Sequence, residues 1–183
     1  MIIGATIFAY ELLSSSAGAD TSQKHAIDIS QSHATFSVTH LYLTHVTGNV
    51  PILSGMIILS PGSAAPTSVT ATLDPTRINS GNGDRDGDLQ GPDWFDTKRF
   101  PTWSFVSASV SSASAGSFII TGALTVHGVA QPVSLNVTTM GGAAHLTYHA
   151  IGHIDRHAFG MRVTPTDGVI GSDVEMTLEV KLK

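Results

Sequence analysis

Residues 81–105 place a group of carboxylates beside a group of aromatic rings. The carboxylates are Asp84, Asp86, Asp88, Asp93 and Asp96, and the rings are Trp94, Phe95, Phe100, Trp103 and Phe105. Carboxylates in a loop can bind a hard cation, or they can accept hydrogen bonds from the backbone of a turn. Aromatic side chains instead fill a core or line an apolar pocket. The two halves of this segment therefore indicate different roles for neighbouring residues.

The spacing N-x-D-x-D-G-x5-D over residues 82–93 matches that of a calcium-binding EF-hand loop. Three features weaken this interpretation: the last ligand is the short Asp93, Arg85 puts a cation among the ligands, and the flanks do not read as two helices. The alternative is a turn in which Asp and Asn side chains satisfy backbone donors and Asp93 caps a helical turn beginning near Trp94. A calcium- or metal-dependent binding module is thus one alternative function.

A second candidate for metal chemistry is the series His145, His149, His153 and His157. On a helix, steps of four would align these rings as a chelating stripe. On a strand, neighbouring rings would lie roughly 13 Å apart, at about 3.3 Å per residue, and could not share an ion. The even positions 146–154 are apolar or small. This alternation predicts a strand with its histidines facing outward and no metal site.

Composition excludes several classes of protein. The 183 residues are 42% hydrophobic and 13% charged, which indicates a globular domain. The net charge of -5 and the lack of a basic patch argue against a nucleic-acid partner. The chain has no cysteine, so it has neither disulfides nor thiolate sites. No nucleophile-elbow, zinc-protease or phosphate-loop motif is present. We therefore expect no enzyme and no cofactor, with a hydrolytic enzyme as the less favoured alternative.

Residues 1–19 are predicted to be a signal peptide. A short apolar run is followed by Ala17–Ala19, which fits the small-x-small cleavage rule and gives a mature start at Asp20. The absence of Lys or Arg before Lys24, and the interruption by Glu11, count against it; the other interpretation is an ordinary first strand. We expect the mature protein to be periplasmic or secreted, and we expect no integral membrane segment.

Alternation of apolar and polar residues with a period of two runs through most of the chain after residue 20. It is clearest at residues 173–182 and 117–127, and it recurs near residues 34–40, 69–73 and 133–137. Turn-forming Gly, Pro, Asn and Ser residues separate these runs. The pattern predicts one all-β domain of short antiparallel strands, either a barrel or a sandwich. A short helix is expected within Leu89–Lys98.

Four segments together resemble the signature of YceI-like, polyisoprenoid-binding proteins, in the family's order, over about residues 25–183. They are the Phe-x-Val-x-His start of residues 36–50, the Trp-Phe-Asp-x3-Phe-Pro-x3-Phe block of residues 85–105, the Leu-Thr-Val-His-Gly turn of residues 120–135 and the Asp-Arg-x2-Phe-Gly-Met segment of residues 154–180. The resemblance implies that residues 20–183 form an antiparallel lipocalin-like β-barrel of about eight strands. It also implies an elongated apolar cavity for a long-chain isoprenoid, quinone or fatty-amide-like lipid, without catalysis.

Twelve residues are candidates to contact such a lipid: Phe36, Val38, His40, Trp94, Phe95, Trp103, Phe105, Leu124, Val126, Arg156, Phe159 and Met161. The apolar members either line the cavity or fill a core. Arg156 either meets a head group or pairs with a loop carboxylate, and His40 either points inward or is structural. His127 is expected in a hairpin turn. A homodimer is also possible, because small barrels commonly self-associate.

Two positions depart from expectation. The family usually has Arg-Asp-x-His-Leu where this chain has Asp88 before Leu89, which puts the head-group preference in doubt. Pro51 falls where we expect an uninterrupted strand.

Overall fold

Ten antiparallel β-strands make up most of the described chain. The computed structural model describes residues 22–41, 43–114, 116–141, 146–161 and 166–183. The strands are β1 (Gln23–Ala26), β2 (His33–His40), β3 (Thr44–Asn49), β4 (Ile52–Leu59), β5 (Pro66–Leu73), β6 (Trp103–Ser114), β7 (Ser117–Val126), β8 (Val129–Met140), β9 (Thr147–Asp155) and β10 (Ile170–Lys181). The helices are α1 (Gly83–Gln90) and three 3-10 turns at Pro75–Arg77, Arg156–Phe159 and Thr166–Gly168. The predicted signal peptide and His145 lie outside the described residues.

All ten strands belong to one sheet, in the order β1-β4-β5-β6-β7-β8-β9-β10-β2-β3. The sheet curls so that the chain just after β1 meets the end of β10. An antiparallel bridge joins Ile27 to Leu182, and the Asp28 amide donates to the Lys181 carbonyl at 2.8 Å. The predicted all-β antiparallel barrel is confirmed.

The described ranges contain ten strands rather than about eight, because two features lie outside the period-two pattern. The short β1 has only four residues. The expected uninterrupted strand is also wrong, since β3 ends at Asn49 and β4 begins at Ile52. Pro51 has no amide hydrogen to donate to a ladder, so it occupies the corner between these strands. Its carbonyl accepts from the Asp74 amide at 2.8 Å.

Period-two alternation correctly predicted the burial of several strands. In β7, alternate residues from Phe118 to Val126 are buried. In β9, Tyr148, Ala150 and Gly152 are buried and His153 is exposed, as expected for outward histidines. His157 is different, because it lies in the 3-10 turn after β9 and not on the strand.

The predicted helix between Leu89 and Lys98 is wrong in position. The helix is α1, which ends at Gln90, and hydrogen-bonded turns follow it. The N-cap is Asn82, whose side chain accepts from the Arg85 amide at 3.0 Å. Acidic residues in the first turn favour the helix because they complement its dipole. Proline two residues beyond Gln90 favours the stop.

Candidate functional site: an apolar cavity and its mouth

The inner face of the curled sheet encloses a cavity of about 190 Å³. Strand β2 and every strand from β4 to β10 contribute inward side chains to its wall. The connection between β5 and β6, which contains α1, adds Leu89, Trp94 and Phe95. Nearly all of the wall is aliphatic or aromatic, so the cavity offers burial to an apolar chain and few polar contacts.

Ten of the twelve predicted residues line this cavity. They are Phe36, Val38, Trp94, Phe95, Trp103, Phe105, Leu124, Val126, Arg156 and Met161. They come from β2, β6, β7, the β5–β6 connection and the segment after β9, so the fold brings together residues up to 125 positions apart. That these residues contact a ligand stays a prediction.

The other two predicted residues lie elsewhere. Phe159 is 1% exposed and does not line the cavity; it is a core residue whose carbonyl lies 3.3 Å from His127 Nδ1. His40 ends β2 and lines a second space outside the cavity. His127 has a positive φ of 52° in the β7–β8 turn, where the sequence predicted a turn residue.

The second space is a cleft of about 470 Å³, which we call the mouth cleft. It shares with the cavity Phe36, Val38, Leu89, Trp94 and Ile170. Its other lining residues include His40, Arg85, Asp88 and Asp93. Within the 81–105 segment, Arg85, Asp88 and Asp93 thus lie at the mouth. Its rings Trp94, Phe95, Trp103 and Phe105 reach into the cavity.

The charged side chains of the mouth cleft differ in whether they are already hydrogen-bonded within the protein. Arg85 donates from Nε to the Ser80 hydroxyl at 2.8 Å and from Nη2 to the Ser80 carbonyl at 2.7 Å. No pairing of Arg85 with a neighbouring acid is among the described contacts, and Asp86 accepts from the Ser80 amide. Asp88 and Asp93 are exposed. The mouth cleft therefore presents more negative than positive charge.

Arg156 serves the fold, although one face of it borders the cavity. Its side chain is 3% exposed and donates to the carbonyls of Met161, Ile170 and Gly171 and to Asp167 Oδ1. The ion pair with Asp167 is the loop carboxylate contact that the sequence suggested. The guanidinium carbon also lies 5.4 Å from the centre of the Trp94 ring, which is a cation–π distance.

The aromatic residues pack against one another along the wall. Phe95 and Trp103 meet edge to face, with ring centres 4.7 Å apart and planes at 77°. Trp94, which precedes Phe95, borders both the mouth cleft and the cavity. Trp94 and Phe95 lie in the turns after α1 and not in the short helix that was expected within Leu89–Lys98.

Sequence reasoning missed Tyr148, which lines the cavity from β9. Its hydroxyl donates to the Ala64 carbonyl at 3.0 Å, and burial raises the pKa of Tyr148 to about 12. Val133, Leu135 and Met176 were also not named as candidates. Their alternation on β8 and β10 placed them on the inner face, so the period-two signal was sufficient to find them.

The metal hypotheses receive no geometric support. In the part of the chain that the structure describes, no three His, Asp or Glu side chains are close enough together to hold an ion. The predicted capping by Asp93 is wrong, because Asn82 is the N-cap of the helix.

No helix within the described ranges is long and apolar enough to cross a membrane.

Comparison with known proteins agrees with the fold. The chain is 29% identical over 142 residues to a UPF0312 protein of Shewanella oneidensis, covering 76% of this chain and 71% of that one. A UPF0312 protein of Vibrio cholerae is 24% identical over 163 residues, with 85% of each chain covered.

Three solved structures share the architecture. The crystal structure of Burkholderia cenocepacia BcnA has a TM-score of 0.79 at 24% identity, covering 86% of this chain and 99% of that chain. The Campylobacter jejuni YCEI protein has a TM-score of 0.71 at 26% identity, covering 79% and 89%. A polyisoprenoid binding domain from Saccharophagus degradans, implicated in plant cell wall breakdown, has a TM-score of 0.66 at 15% identity, covering 87% and 97%.

The model of the YceI-like domain matches residues 25–182, which is most of the chain and nearly all of its described part. The match spans the cavity wall, the mouth cleft and all four signature segments. The chain therefore belongs to the YceI-like domain family.

Proposed function

We propose that this protein binds a long-chain isoprenoid or a similar amphiphilic lipid in its barrel cavity, and that it carries or sequesters this lipid without catalysis. The observation that carries the proposal is the apolar cavity inside the curled sheet, which continues into a mouth cleft with polar groups. The structural similarity to the polyisoprenoid binding domain from Saccharophagus degradans supports the same ligand class.

The energetics favour a slender apolar chain. Burial of each CH2 group contributes about 0.8 kcal/mol, so a prenyl tail gains affinity along its whole length without specific contacts. The cavity volume of about 190 Å³ is below the usual range for pockets that hold compact ligands. Met161 and Met176 border the cavity, and their flexible side chains can shift to admit a longer chain.

Extraction of the protein tests the proposal directly. Protein purified from its native host is extracted with organic solvent, and the extract is examined by mass spectrometry. We expect a stoichiometric prenyl lipid, quinone or fatty amide, retained after treatment with a metal chelator. A clean extract, together with failure to bind a fluorescent long-chain lipid probe, would contradict the proposal. Loss of the lipid on chelation would instead favour the metal-dependent alternative.

A cavity-filling substitution locates the bound chain. Ala150 is 6% exposed and borders the cavity from β9. We expect Ala150→Leu to weaken binding of the fluorescent probe several-fold, because the added carbons occupy the space of the ligand. Ala123 lies on the exposed face of β7, so Ala123→Leu is the matched control. Equal affinities in both variants, with both proteins folded, would show that the probe binds elsewhere.

Export to the periplasm or beyond the cell, and a homodimer, both stay predictions. The first follows from the N-terminal residues and the second from the tendency of small barrels to self-associate. Sequencing of the mature N-terminus and sedimentation of the purified protein would test them.

A further inference from the structure

Two leucine side chains project into solvent from the turn between β2 and β3. Leu43 is 90% exposed and Leu41 is 52% exposed, so neither contributes much to the core. Leu41 also has a positive φ of 51°, a conformation that favours Gly, Asn or Asp over Leu. Single exposed apolar residues are common, but two in one turn, one of them in a disfavoured backbone conformation, are not explained by folding. We call Leu41 and Leu43 the leucine turn.

Hydrogen bonds fasten the leucine turn to its own hairpin and to the chain just before β10. The Leu41 amide donates to the Val169 carbonyl at 2.7 Å, and the Leu43 amide donates to the His40 carbonyl at 3.4 Å. The Thr44 hydroxyl donates to the same His40 carbonyl at 2.9 Å. Because these bonds fix the backbone of the turn, the outward position of the two leucines is a property of the fold.

The leucine turn lies at the rim of the mouth cleft. His40, which directly precedes Leu41, and Val46 of β3 both line this cleft. Ile170 pairs in register with His40 and borders both the cleft and the cavity. An apolar surface that received the two leucines would therefore lie next to the opening of the cavity.

The distribution of charge indicates the kind of surface that the leucine turn can meet. Residues 29–73, which include β2, the turn and β3, contain no Asp, Glu, Lys or Arg. No permanently charged side chain of this segment would therefore have to lose water as the leucines leave solvent. Asp88 and Asp93, which also line the mouth cleft, are exposed and would repel an anionic surface. The turn thus fits a partner that is apolar and carries no net negative charge.

We propose that the leucine turn docks this protein on a lipid bilayer with an electrically neutral surface, where Leu41 and Leu43 enter the boundary between head groups and acyl chains. The inference rests on the proposed lipid-binding function, because a long-chain lipid resides in membranes through the same burial of CH2 groups that favours the cavity. Docking at the turn sets the mouth cleft against the bilayer. The lipid then passes between bilayer and cavity without crossing water.

The opposite end of the barrel provides a matched control. Ile29, which precedes β2, is 48% exposed, and Met140, which ends β8, is 52% exposed. Met140 pairs with Thr147, and Thr147 pairs with Lys181 at the end of β10, whereas the leucine turn adjoins the start of β10. Two apolar side chains with exposures close to that of Leu41 therefore lie far from the mouth.

Transfer of a fluorescent long-chain lipid from phosphatidylcholine vesicles to the protein tests the inference. The wild-type rate should rise in proportion to vesicle concentration, because uptake requires contact with the bilayer. We expect Leu41→Ser with Leu43→Ser to lower the rate about tenfold, and Ile29→Ser with Met140→Ser to leave it near that of the wild type. All three proteins should bind the probe in solution with equal affinity, because none of the four side chains lines the cavity.

Several outcomes would overturn the inference and leave the proposed function standing. They are a rate independent of vesicle concentration, an equal fall in both double variants, and faster transfer from vesicles that also contain anionic phosphatidylglycerol. A wild-type dimer that the leucine variant loses, with transfer unchanged, would mean that the leucines meet a second copy of the chain instead. Failure of the wild type to bind the probe in solution would overturn the proposed function.

A measurement on the ligand-free wild type tests docking without a cargo and without a variant. In protein labelled with ¹³C at leucine and methionine methyl groups, phosphatidylcholine bicelles that carry a nitroxide on the acyl chain should broaden the resonances of Leu41 and Leu43 far more than that of Met140. Equal broadening, or stronger broadening at Met140, would show that the bilayer does not meet the leucine turn.

Discussion

The carboxylate of Asp167 is held by two neighbours from the turn after β9. Arg156 Nη2 lies 2.6 Å and His157 Nε2 lies 2.8 Å from the same oxygen, Asp167 Oδ1. The hydrogen bond from His157, followed by the one from Arg156, holds the pKa of Asp167 below its usual value. Since Arg156 also binds three backbone carbonyls, this carboxylate completes the link between the end of β9 and the start of β10.

Asp167→Asn should reduce stability in a pH-dependent way. A carboxyl whose pKa is lowered by folding stabilises the folded state above its unfolded pKa, about 3.9, and loses this contribution as the pH falls through the folded pKa. We therefore expect wild type and variant to differ most in unfolding free energy near pH 7, and the difference to shrink below about pH 4. Urea unfolding at pH 7, 5 and 3 measures this.

Glu179→Gln controls for the loss of one carboxylate, because Glu179 is exposed on β10. It should change the unfolding free energy little. If the Asp167→Asn difference were the same at pH 7 and pH 3, the stabilising role of the ionised carboxylate would be wrong.

The β7–β8 hairpin depends on two residues of positive φ, His127 at 52° and Gly128 at 73°. This pair matches a two-residue hairpin turn, whose twist suits the flanking strands. The Phe100 ring packs on the turn, with its centre 5.3 Å from that of His127. A Cβ atom at position 128 would overlap the Phe100 ring. Through Phe100, the segment that follows Trp94 and Phe95 thus packs on the turn between β7 and β8.

Gly128→Ala and Gly62→Ala form a matched pair, because both glycines have a φ of 73° but only Gly128 is crowded. Alanine in the left-handed region costs about 1–2 kcal/mol. We expect Gly62→Ala to lose this amount and Gly128→Ala to lose about 1–3 kcal/mol more through overpacking. Urea unfolding of the two variants gives the difference. Equal losses would mean that Phe100 moves aside without cost.

The barrel as a whole separates an apolar interior from an acidic mouth. Phe36, Val38 and Trp94 belong to both spaces, so a chain in the cavity would carry its head group past Asp88 and Asp93. The mouth acids are exposed and partly screened by salt, which limits each to a modest effect. Their expected role is to select among head groups rather than to supply affinity.

Asp88→Asn combined with Asp93→Asn should therefore change selectivity. We expect the wild type to bind a long-chain amine more tightly than a long-chain phosphate of equal length. The double variant should lower the amine-to-phosphate affinity ratio about three- to fivefold at low salt, as expected for exposed charges. Displacement of the fluorescent lipid measures both affinities, and the effect should diminish at high ionic strength.

A second double variant keeps the change in net charge but moves it away from the mouth. Asp173 and Glu179 are exposed on β10 and do not border the mouth cleft. Asp173→Asn with Glu179→Gln should leave the ratio near that of the wild type. A similar fall in both double variants would assign the selectivity to the net charge of the protein rather than to the mouth.

The sequence by itself determined which face of most strands is buried, because side-chain direction alternates along a strand and is therefore a local property. Leu124 and Val126 share one face of the 117–127 run on this basis, and both line the cavity. The joint spacing of the four signature segments determined the family.

Only the tertiary structure decided which residues meet. The contact of Arg156 with Trp94 joins positions 62 residues apart, and no local pattern encodes the pairing order that brings them together. The start of α1 depended on whether Asn82 or Asp93 acts as the cap, and spacing alone permits both. The places of His40 at the mouth and Phe159 in the core follow from how the sheet curls, which is a property of the whole barrel.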